Sequence, residues 1–321
     1  MMKANVSRFR KQLKSMPALA LVGCITATAA AYAGEWHWLL ELFSHFRMQY
    51  VAVLLVLALF YAWQRQPVGL GIAMIFGAIN VLPIAGLFAT QEASQLSSGT
   101  EPWVLLSANL NSDNDNVAAV LDNLGAEQAD VVLLQEYNLR WAADLAGLSS
   151  QYPHQFALPR EDEFGLALYS RWPLLSAETV ALGDSTPAIV AELATDGGPV
   201  RIVGVHLRPP LRQGWAAEQD RQFAALTQLA AETDMPLAIV GDFNATPWSA
   251  DFRRWTDTAL LHNGLGGHGL AYTWPTAIPF LWIPIDACVV NSALRIVAQR
   301  RGNRIGSDHY PLVTALATHH G

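Results

Sequence analysis

Hydrophobic and polar positions follow two different patterns along the chain, and the change lies near residue 95. Before it lie three apolar segments, at 17–33, 46–63 and 68–89. The segment 68–89 has 22 residues and no charge, which is enough to cross a hydrocarbon core of about 30 Å as a helix. Segment 46–63 ends in Tyr61 and Trp63, side chains that suit a membrane interface. Both segments predict membrane spans rather than buried core helices, because core helices rarely lack a polar face over such lengths.

The first apolar segment, 17–33, follows a tail with five basic residues and ends in Ala31-Tyr32-Ala33. This order is typical of a secretory signal peptide, which is either cleaved or kept as a first span. Both alternatives predict the same topology, with the basic tail in the cytoplasm and residue 91 outside. We therefore predict a membrane region at 1–90 that anchors the protein in the cell (inner) membrane, with the lipid bilayer as its partner. A Ser-, Gln- and Gly-rich linker at 91–102 leads to an extracytoplasmic (periplasmic) domain at 103–321.

Short apolar runs alternate with helical periodicity after the linker. A strand at 103–107, a helix with apolar residues from Val117 to Leu124, and a strand at 130–136 form a β-α-β opening. Asp113 or Asn114 is the predicted helix cap, and Gly125 is the predicted stop. The other predicted elements are strands at 165–170, 188–193, 200–206, 237–241, 285–290 and 312–316 and a helix at 215–231.

Charge separates the same two regions. Residues 1–100 carry seven basic and three acidic groups, whereas the remainder carries thirteen arginines, no lysine and 24 acidic groups. An acidic domain repels phosphate polyanions, so a broad nucleic-acid surface is disfavoured, although a bound metal ion would reverse the local field. A composition of 52% hydrophobic and 15% charged residues excludes a disordered chain. The two cysteines fall in different regions, and no internal disulfide is expected.

Polar residues recur at the carboxyl ends of the apolar runs, where the loops of layered α/β folds converge on a site. Asp286 lies inside an apolar run, and an unpaired buried carboxylate costs several kcal/mol, roughly, unless a cation, a histidine or a metal compensates it. The set contains oxygen ligands and two histidines but no cysteine, which favours Mg²⁺, Mn²⁺ or Ca²⁺ over structural zinc and points to phosphoryl transfer. Its members are Asn109, Glu136, His206, Asp242, Asn244, Asp286, Asp308 and His309.

Seven segments around these residues closely resemble, in order, the endonuclease/exonuclease/phosphatase superfamily, which includes pancreatic-type DNases, neutral sphingomyelinases and inositol-phosphate phosphatases. The resemblance covers 103–317 and implies a four-layer α/β sandwich, with two mixed sheets face to face and helices outside. It also implies a metal-dependent hydrolase of phosphoester bonds. The segments are SANLN at 107–111, LQE at 134–136, GLALYSR at 165–171, VHL at 205–207, GDFNATP at 241–247, ID at 285–286 and SDHYPL at 307–312.

The resemblance also implies roles for these residues. Glu136 resembles the principal metal ligand, with Asn109 and Asp308 near the ion or its waters. Asp242 resembles the residue that orients and deprotonates the attacking water, and Asn244 and His206 would donate hydrogen bonds to the phosphoryl oxygens. His309, paired with Asp286, would hold or protonate the phosphoryl centre. Whether Asp242 or His309 is the base stays open at this stage, and Tyr169 and Arg208 are predicted to bind substrate.

The loops beside these segments bear on the substrate. Nuclease members usually present basic residues on loops that straddle nucleic acid, whereas here Arg208-Pro209-Pro210-Leu211-Arg212 follows His206, and an apolar run, 276–284, precedes Asp286. If exposed, its Phe280 and Trp282 would suit a lipid substrate; alternatively, the run packs against the domain or the spans.

Three functions follow. The first is a membrane-anchored phosphoesterase acting on lipid headgroups or small phosphoesters. The second is a nuclease, and the third is a non-catalytic binding module, which would leave the polar set without a role. No protein partner is predicted.

Overall fold

The computed structural model describes residues 2–85, 87, 101–264 and 270–318, with side chains from residue 15 onward. The chain separates into two compact units, Met1–Gly86 and Leu87–Gly321. Each unit is held together by its own contacts and is described by itself.

The first unit is helical. Its helices are α1 (Met2–Tyr32), α2 (Trp38–Glu41), α3 (Arg47–Trp63) and α4 (Pro67–Ala85). Three stretches are long and apolar enough to cross a membrane by length and composition, namely Ser15–Tyr32, Trp38–Trp63 and Pro67–Ala85. The second stretch begins before the predicted 46–63, because α2 and a short 3₁₀ turn at Ser44–Phe46 precede α3. Residues 86, 88 and 89 of the third predicted span lie outside the described residues.

Hydrogen bonds that involve polar side chains join the helices of this unit. Asn80 Nδ2 donates to Thr28 Oγ1 at 2.8 Å, and the Tyr32 hydroxyl donates to the Ile79 carbonyl at 2.8 Å, so α4 is fastened to α1 at two points. Polar contacts of this kind stabilise helix packing where the surroundings are apolar. The buried apolar cluster of the unit comprises Leu21, Cys24, Leu54, Leu57, Tyr61 and Ala73. Cys24 and Cys288 are both free thiols.

The second unit contains two six-stranded sheets. The first has the strand order β11-β12-β1-β2-β4-β3, and the second has the order β5-β6-β7-β8-β10-β9. The strands are β1 (Trp103–Asn109), β2 (Val131–Gln135), β3 (His154–Leu158), β4 (Leu166–Ser170), β5 (Leu174–Leu182), β6 (Thr186–Thr195), β7 (Gly198–His206), β8 (Leu237–Asp242), β9 (His262–Asn263), β10 (Asp286–Val290), β11 (Leu294–Arg301) and β12 (Leu312–Thr318). The helices are α5 (Val117–Glu127), α6 (Leu139–Asp144), α7 (Gln213–Ala231) and α8 (Ala250–Ala259).

Both sheets are mixed. In each, one pair of central strands is parallel, β1 with β2 and β7 with β8, and the other neighbours are antiparallel. The predicted β-α-β opening is therefore confirmed, and so is the prediction of two mixed sheets flanked by helices.

Side-chain alternation along the strands builds the layers. Successive residues of a strand point to opposite faces, so Leu105 of β1 joins the apolar core shared by both sheets while Leu106 joins a separate core on the other face. The shared core includes Leu133 from the first sheet and Ile202 from the second. The outer cores hold residues of α5 and α6 over the first sheet and of α7 and α8 over the second. The result is a four-layer α/β sandwich.

Two local predictions about α5 were wrong. Asn116, rather than Asp113 or Asn114, caps the helix, because its side chain accepts the backbone N–H of Ala119. The Asn114 amide is used elsewhere and donates to the carbonyls of Leu110 and Ile305. The helix also continues through Gly125 to Glu127 and ends where Gln128 adopts a left-handed conformation, with φ of 48°. A glycine inside a helix lowers its stability without ending it.

We expect Gly204→Ala to destabilise the sandwich by about 1–3 kcal/mol through overpacking. Gly204 lies on β7, and a Cβ there would overlap the Leu133 side chain of the facing sheet. Gly125→Ala is the control, because open space surrounds that position and alanine is the better helix former by about 0.5–1 kcal/mol. Thermal unfolding of the full-length protein in detergent should show a lower Tm for the first variant and an equal or higher Tm for the second. Equal Tm values would contradict the close approach of the sheets.

Candidate active site

Strand register brings polar side chains from distant parts of the chain to one edge of each sheet. In the second sheet, His206 at the end of β7 is the register partner of Asp242 at the end of β8, and Asp242 is also the partner of Asp286, where β10 begins. In the first sheet, Asn109 at the end of β1 is the partner of Gln135, the last residue of β2, and Glu136 follows directly. Because these strand ends are register partners, the polar side chains at the edge of each sheet lie close together.

The centre of the site is a buried array of two carboxylates and one imidazole. His309 Nδ1 lies 2.8 Å from Asp286 Oδ2, and His309 Nε2 lies 3.6 Å from Asp242 Oδ2. Since a carboxylate only accepts, Nδ1 carries the proton that is donated to Asp286. All three side chains are at least 90% buried, so Asp286 fixes the ring and directs Nε2 toward Asp242.

Asp242, in the second sheet, is also hydrogen-bonded to a residue of the first sheet. Asn109 Nδ2 donates to Asp242 Oδ2 at 3.3 Å and to Glu136 Oε1 at 3.0 Å, which links the carboxylates of both sheets through one amide. The other Glu136 oxygen accepts the backbone N–H of Ser112 at 2.8 Å. His206 Nε2 lies 3.5 Å from Asp242 Oδ2. Its Nδ1 lies 2.8 Å from the Glu163 carbonyl and therefore carries the proton.

Asp308 is held at the side of this centre by groups that only donate. Asn111 Nδ2 donates to its Oδ1 at 2.8 Å, and Trp274 Nε1 donates to its Oδ2 at 3.0 Å. The backbone N–H of Thr276 donates to the Asp308 carbonyl at 2.8 Å, so the loop that follows Trp274 begins at the site. Asn111 and Trp274 are contacts that the sequence did not assign, although Asn111 lies within the SANLN segment.

Four residues of the site have positive backbone φ angles, and one of them is Asn111, with φ of 60°. Glu136 has φ of 55°, Asn244 has φ of 50° and Gly241 has φ of 144°. Positive φ is unusual for the three of these residues that have a side chain, and such strain concentrates at functional sites. At Gly241, the penultimate residue of β8, a Cβ would overlap the Val205 carbonyl of the neighbouring strand, so this position requires glycine. The turn after β8 lets the Asn244 backbone N–H donate to Asp242 Oδ1 at 2.8 Å.

Burial and neighbouring charges shift the pKa values of Asp242, His309 and Asp308, and the direction differs from residue to residue. Burial, and then the charge of Asp286, raises the pKa of Asp242 to about 6 despite the opposing effect of His309 and His206. Burial alone would lower the pKa of His309, but the carboxylates of Asp286 and Asp242 outweigh it and raise this pKa to about 10. Burial would likewise raise the pKa of Asp308, but His309 and the hydrogen bonds to its carboxylate hold it below the ordinary value.

The model of the Endonuclease/Exonuclease/phosphatase family matches residues 106–309, which include every strand end described above. The chain belongs to this family. Membership indicates a hydrolase of the phosphodiesterase or nuclease type, and such enzymes typically use divalent metal ions.

Solved structures share the fold at low sequence identity. An endonuclease/exonuclease/phosphatase from Beutenbergia cavernae DSM 12333 is 20% identical with a TM-score of 0.57, and covers 68% of this chain and 72% of its own. D. rerio TDP2 complexed with a single-stranded DNA product is 19% identical with a TM-score of 0.58, and covers 68% and 100%. The human Nocturnin catalytic domain with bound sulfate is 20% identical with a TM-score of 0.57, and covers 68% and 95%. No curated protein sequence matches the chain.

The residues of the site fit the divalent ion that the family uses. Its ligand atoms are carboxylate and amide oxygens, the donors that hard divalent cations prefer. Four carboxylates, those of Glu136, Asp242, Asp286 and Asp308, face two imidazoles, and in the described part of the chain no arginine or lysine pairs with them. Asp242 and Asp286 are buried whereas Glu136 and Asp308 are half-buried, and negative charge gathered in such a site favours the binding of a cation. Asp242, Asp286 and His309 also offer ligand atoms within 4.8 Å of one another, but the hydrogen bond to Asp286 occupies His309 Nδ1.

Of the ten residues predicted for the site, the structure draws eight into one network of contacts. Asn244 belongs to it through Asp242, and its side chain donates to the Leu207 carbonyl at 2.8 Å. Arg208 lies two residues beyond His206, and its guanidinium carbon is 4.6 Å from the centre of the Phe164 ring, which packs against His206.

Tyr169 lies away from this network. It is the register partner of Val132 at the beginning of β2 rather than of the site end. Its hydroxyl bonds to that of Tyr137 at 2.7 Å within the outer core of the first sheet. The substrate-binding role expected of Tyr169 is therefore unsupported, because alternation turns its side chain toward the helix layer.

Proposed function

We propose that this protein is a membrane-anchored, divalent-metal-dependent phosphoesterase that hydrolyses a lipid headgroup or small phosphoester outside the cytoplasm. The observation that carries the proposal is the buried Asp286–His309–Asp242 array, which Asn109 links to Glu136. Buried polar groups that are aligned in this way are costly to maintain in a fold and typical of catalytic centres. Membership of a family of phosphoester hydrolases supports this reading over a non-catalytic module.

The geometry suggests a division of labour among the chain's own groups. Asp242 accepts hydrogen bonds at both oxygens and is oriented by the Asn244 backbone N–H, which suits a base that takes a proton from water. His309 is held by Asp286, so its Nε2 is the group that donates to the phosphoryl oxygens or the leaving group. His206 and the remaining amide hydrogen of Asn244 lie on the same sheet edge and would hold the phosphoryl oxygens.

Glu136, Asn109 and Asp308 are the residues that would hold the metal ion. Two of them, Glu136 and Asp308, bring carboxylate oxygens, and the hydrogen-bond donors that hold these oxygens are uncharged groups. When bound, a divalent ion would polarise the phosphoryl group and offset its charge.

Hydrolysis of synthetic phosphoesters by the full-length protein in detergent tests the proposal. Bis(p-nitrophenyl) phosphate, p-nitrophenyl phosphate and a phospholipid in vesicles are each offered with Mg²⁺, Mn²⁺, Ca²⁺ or chelator. We expect turnover of at least one ester with a divalent ion, its loss in chelator and its return when the ion is restored. The Asp242→Asn variant is the matched control for contaminating hydrolase activity. Equal rates for this variant and the wild type, or no turnover in any arm, would refute the proposal.

A nuclease is the second candidate, and one observation favours it. D. rerio TDP2, which shares the fold, was solved with a single-stranded DNA product. Residues 101–321 carry 24 acidic groups and thirteen arginines. This net negative charge disfavours an extended surface that binds the nucleic-acid phosphate backbone. A labelled single-stranded oligonucleotide added to the same panel separates the two, because a nuclease would cleave it faster than the lipid or the small esters.

The apolar loop beside the site supports a lipid or membrane-surface substrate. The sequence left open whether 276–284 is exposed or packed. In the structure one of its two large aromatic side chains is exposed and the other is packed. Phe280, on a short 3₁₀ turn at Pro279–Leu281, is 75% exposed. Trp282 instead packs edge-on against Tyr310, with ring centres 6.1 Å apart. An exposed aromatic side chain next to a phosphoester site suits insertion among lipid headgroups.

The proposed membrane anchoring of the protein, and the proposed location of its second unit outside the cytoplasm, are inferred from the three apolar stretches of the first unit. With the basic tail in the cytoplasm, three spans, or a cleaved signal followed by two, leave Gly321 outside. We expect a reporter that is active only outside the cytoplasm to work when fused after Gly321, and one active only in the cytoplasm to be silent. Fusions after Gln66, in the turn between α3 and α4 that the same topology assigns to the cytoplasm, are the matched controls and should behave oppositely. A working cytoplasmic reporter after Gly321 would contradict the topology and move the substrate pool to cytoplasmic nucleotides and nucleic acids.

A further inference from the structure

Two arginines beside the site stack on aromatic rings. The guanidinium carbon of Arg208 lies 4.6 Å from the centre of the Phe164 ring and 5.4 Å from that of Trp215. The guanidinium carbon of Arg212 lies 3.8 Å from the Trp215 ring centre. The Phe164 ring lies 5.3 Å from the His206 imidazole. Cation–π and ring contacts therefore connect the exposed Arg212 to His206 of the candidate active site. The order of the contacts is Arg212, Trp215, Arg208, Phe164 and His206.

Within the described part of the chain, the charge of these two arginines is not neutralised by an ion pair with a carboxylate. Many arginines of the domain pair with carboxylates, namely Arg140, Arg160, Arg171, Arg201, Arg221, Arg254 and Arg300. Among the described residues, Arg208 and Arg212 form no such pair. Asp162 is held by Arg160, with Nε to Oδ1 at 2.8 Å, and this hydrogen bond is the main cause that lowers the pKa of Asp162; the charge of Arg208 contributes least. The donors of Arg208 and Arg212 are thus free for a ligand.

The aromatic rings contact each guanidinium without accepting a conventional hydrogen bond from its N–H groups. A guanidinium that lies over a ring uses its face for the cation–π contact, and its N–H groups point outward in the plane, where they match two phosphate oxygens. The backbone of Arg208 is also fixed by buried side chains of α7. Its N–H donates to Gln222 Oε1 at 3.0 Å, and its carbonyl accepts from Gln219 Nε2 at 3.0 Å. The site is therefore built before substrate arrives, which lowers the entropy cost of binding.

We propose that Arg208 and Arg212, supported by Phe164 and Trp215, form a subsite for a second phosphate group of the substrate, distinct from the phosphate that is cleaved. The inference rests on the proposed function and deepens it, because it selects phosphoesters that carry another phosphate near the scissile bond. Cleavage itself stays at the Asp242 and His309 end, and the arginines bind and orient the substrate. Phosphorylated nucleotides and phosphorylated lipid headgroups share this chemistry.

Matched esters with and without the second phosphate test the subsite in the full-length protein. The first pair is thymidine 5′-(p-nitrophenyl phosphate) with either a free or a phosphorylated 3′-hydroxyl, which release the same chromophore. The second pair is glycerophosphoinositol with or without a 4-phosphate. We expect kcat/KM to be roughly tenfold higher for the phosphorylated member of at least one pair, mainly through a lower KM, as expected for one additional charge-assisted contact. The pair that shows the preference identifies a nucleotide or a headgroup as the source.

Variants assign the preference to the two arginines. Arg208→Gln and Arg212→Gln should each reduce the ratio of the two kcat/KM values toward one, and Arg208→Lys should restore little of it because lysine lacks the planar pair of donors. Arg254→Gln is the control, since it removes an exposed arginine paired with Asp251 on α8 and should leave the ratio unchanged. The ratio does not depend on enzyme concentration, and Arg212 is exposed, so a folding defect cannot imitate the result.

The outcomes separate this inference from the proposed function. Turnover of all esters with a ratio near one in the wild type, or a ratio that the Arg208 and Arg212 variants do not change, would overturn the subsite and leave the phosphoesterase in place. A ratio that falls equally in Arg254→Gln would overturn it as well, because the preference would then reflect the overall charge. No turnover of any ester with any metal would overturn both.

Discussion

Replacing Glu136 with glutamine is expected to reduce kcat/KM by roughly 10³-fold or more, which corresponds to about 4 kcal/mol of lost transition-state stabilisation. The change removes one ligand charge and almost no volume. Glu136 Oε2 accepts from the Ser112 backbone and Oε1 from Asn109, and a glutamine can keep the first of these contacts. The fold should therefore survive while the divalent metal loses its principal carboxylate.

Three measurements on the Glu136→Gln variant check this expectation. Turnover is measured at increasing metal concentration, metal binding is followed by calorimetry, and thermal unfolding is recorded without metal. Glu178→Gln is the matched control, because Glu178 lies exposed on β5 and outside the site. Metal affinity and turnover like those of the wild type would refute the assignment of the site. A large fall in Tm would instead give Glu136 a structural role.

Loss of His309 and loss of Asp286 are expected to be strongly non-additive. His309→Ala should reduce kcat by roughly 10²–10³-fold, as removal of a positioned proton donor does. The double variant His309→Ala/Asp286→Ala should lose little more than His309→Ala alone, because Asp286 acts on the reaction through its 2.8 Å contact with His309 Nδ1.

A double-mutant cycle in kcat and kcat/KM measures this coupling. Asp286→Asn is included because it keeps the volume of a residue that is 4% exposed, so it separates loss of the charge from loss of packing. All variants are compared at equal folded fraction, determined from near-ultraviolet circular dichroism. Fully additive losses would mean that the two side chains act independently in catalysis and would remove the paired role proposed for them.

The interior of the fold could be predicted from the sequence, and its edges could not. Every central strand was predicted, because a strand that is covered on both faces and paired on both sides is a continuous apolar run. The four strands that were not predicted are β3 and β11, the edges of the first sheet, and β5 and β9, the edges of the second. Their side chains are largely half-exposed or exposed. Edge strands lack the uniform apolar pattern because one side faces water.

The candidate site was predictable as a set of residue types but not as a set of contacts. Polar residues at the ends of apolar strands, and an aspartate inside one, identified the members. Which of them touch depends on register and on the distance between the sheets. Asn109 and Asp242 are 133 residues apart in the chain yet share a hydrogen bond, and no local pattern encodes that approach.

The sequence by itself determined the apolar segments of the first unit, the layered α/β class of the second and the oxygen-rich chemistry of its site. These properties depend on local hydrophobicity and residue type, which a linear pattern records. Only the tertiary structure decided that His309 joins Asp286 to Asp242, that Tyr169 faces the helix layer and that Arg208 and Arg212 stack on Phe164 and Trp215. Those outcomes depend on the direction of each side chain and on which distant elements pack together. They are fixed when the two sheets close over a common core.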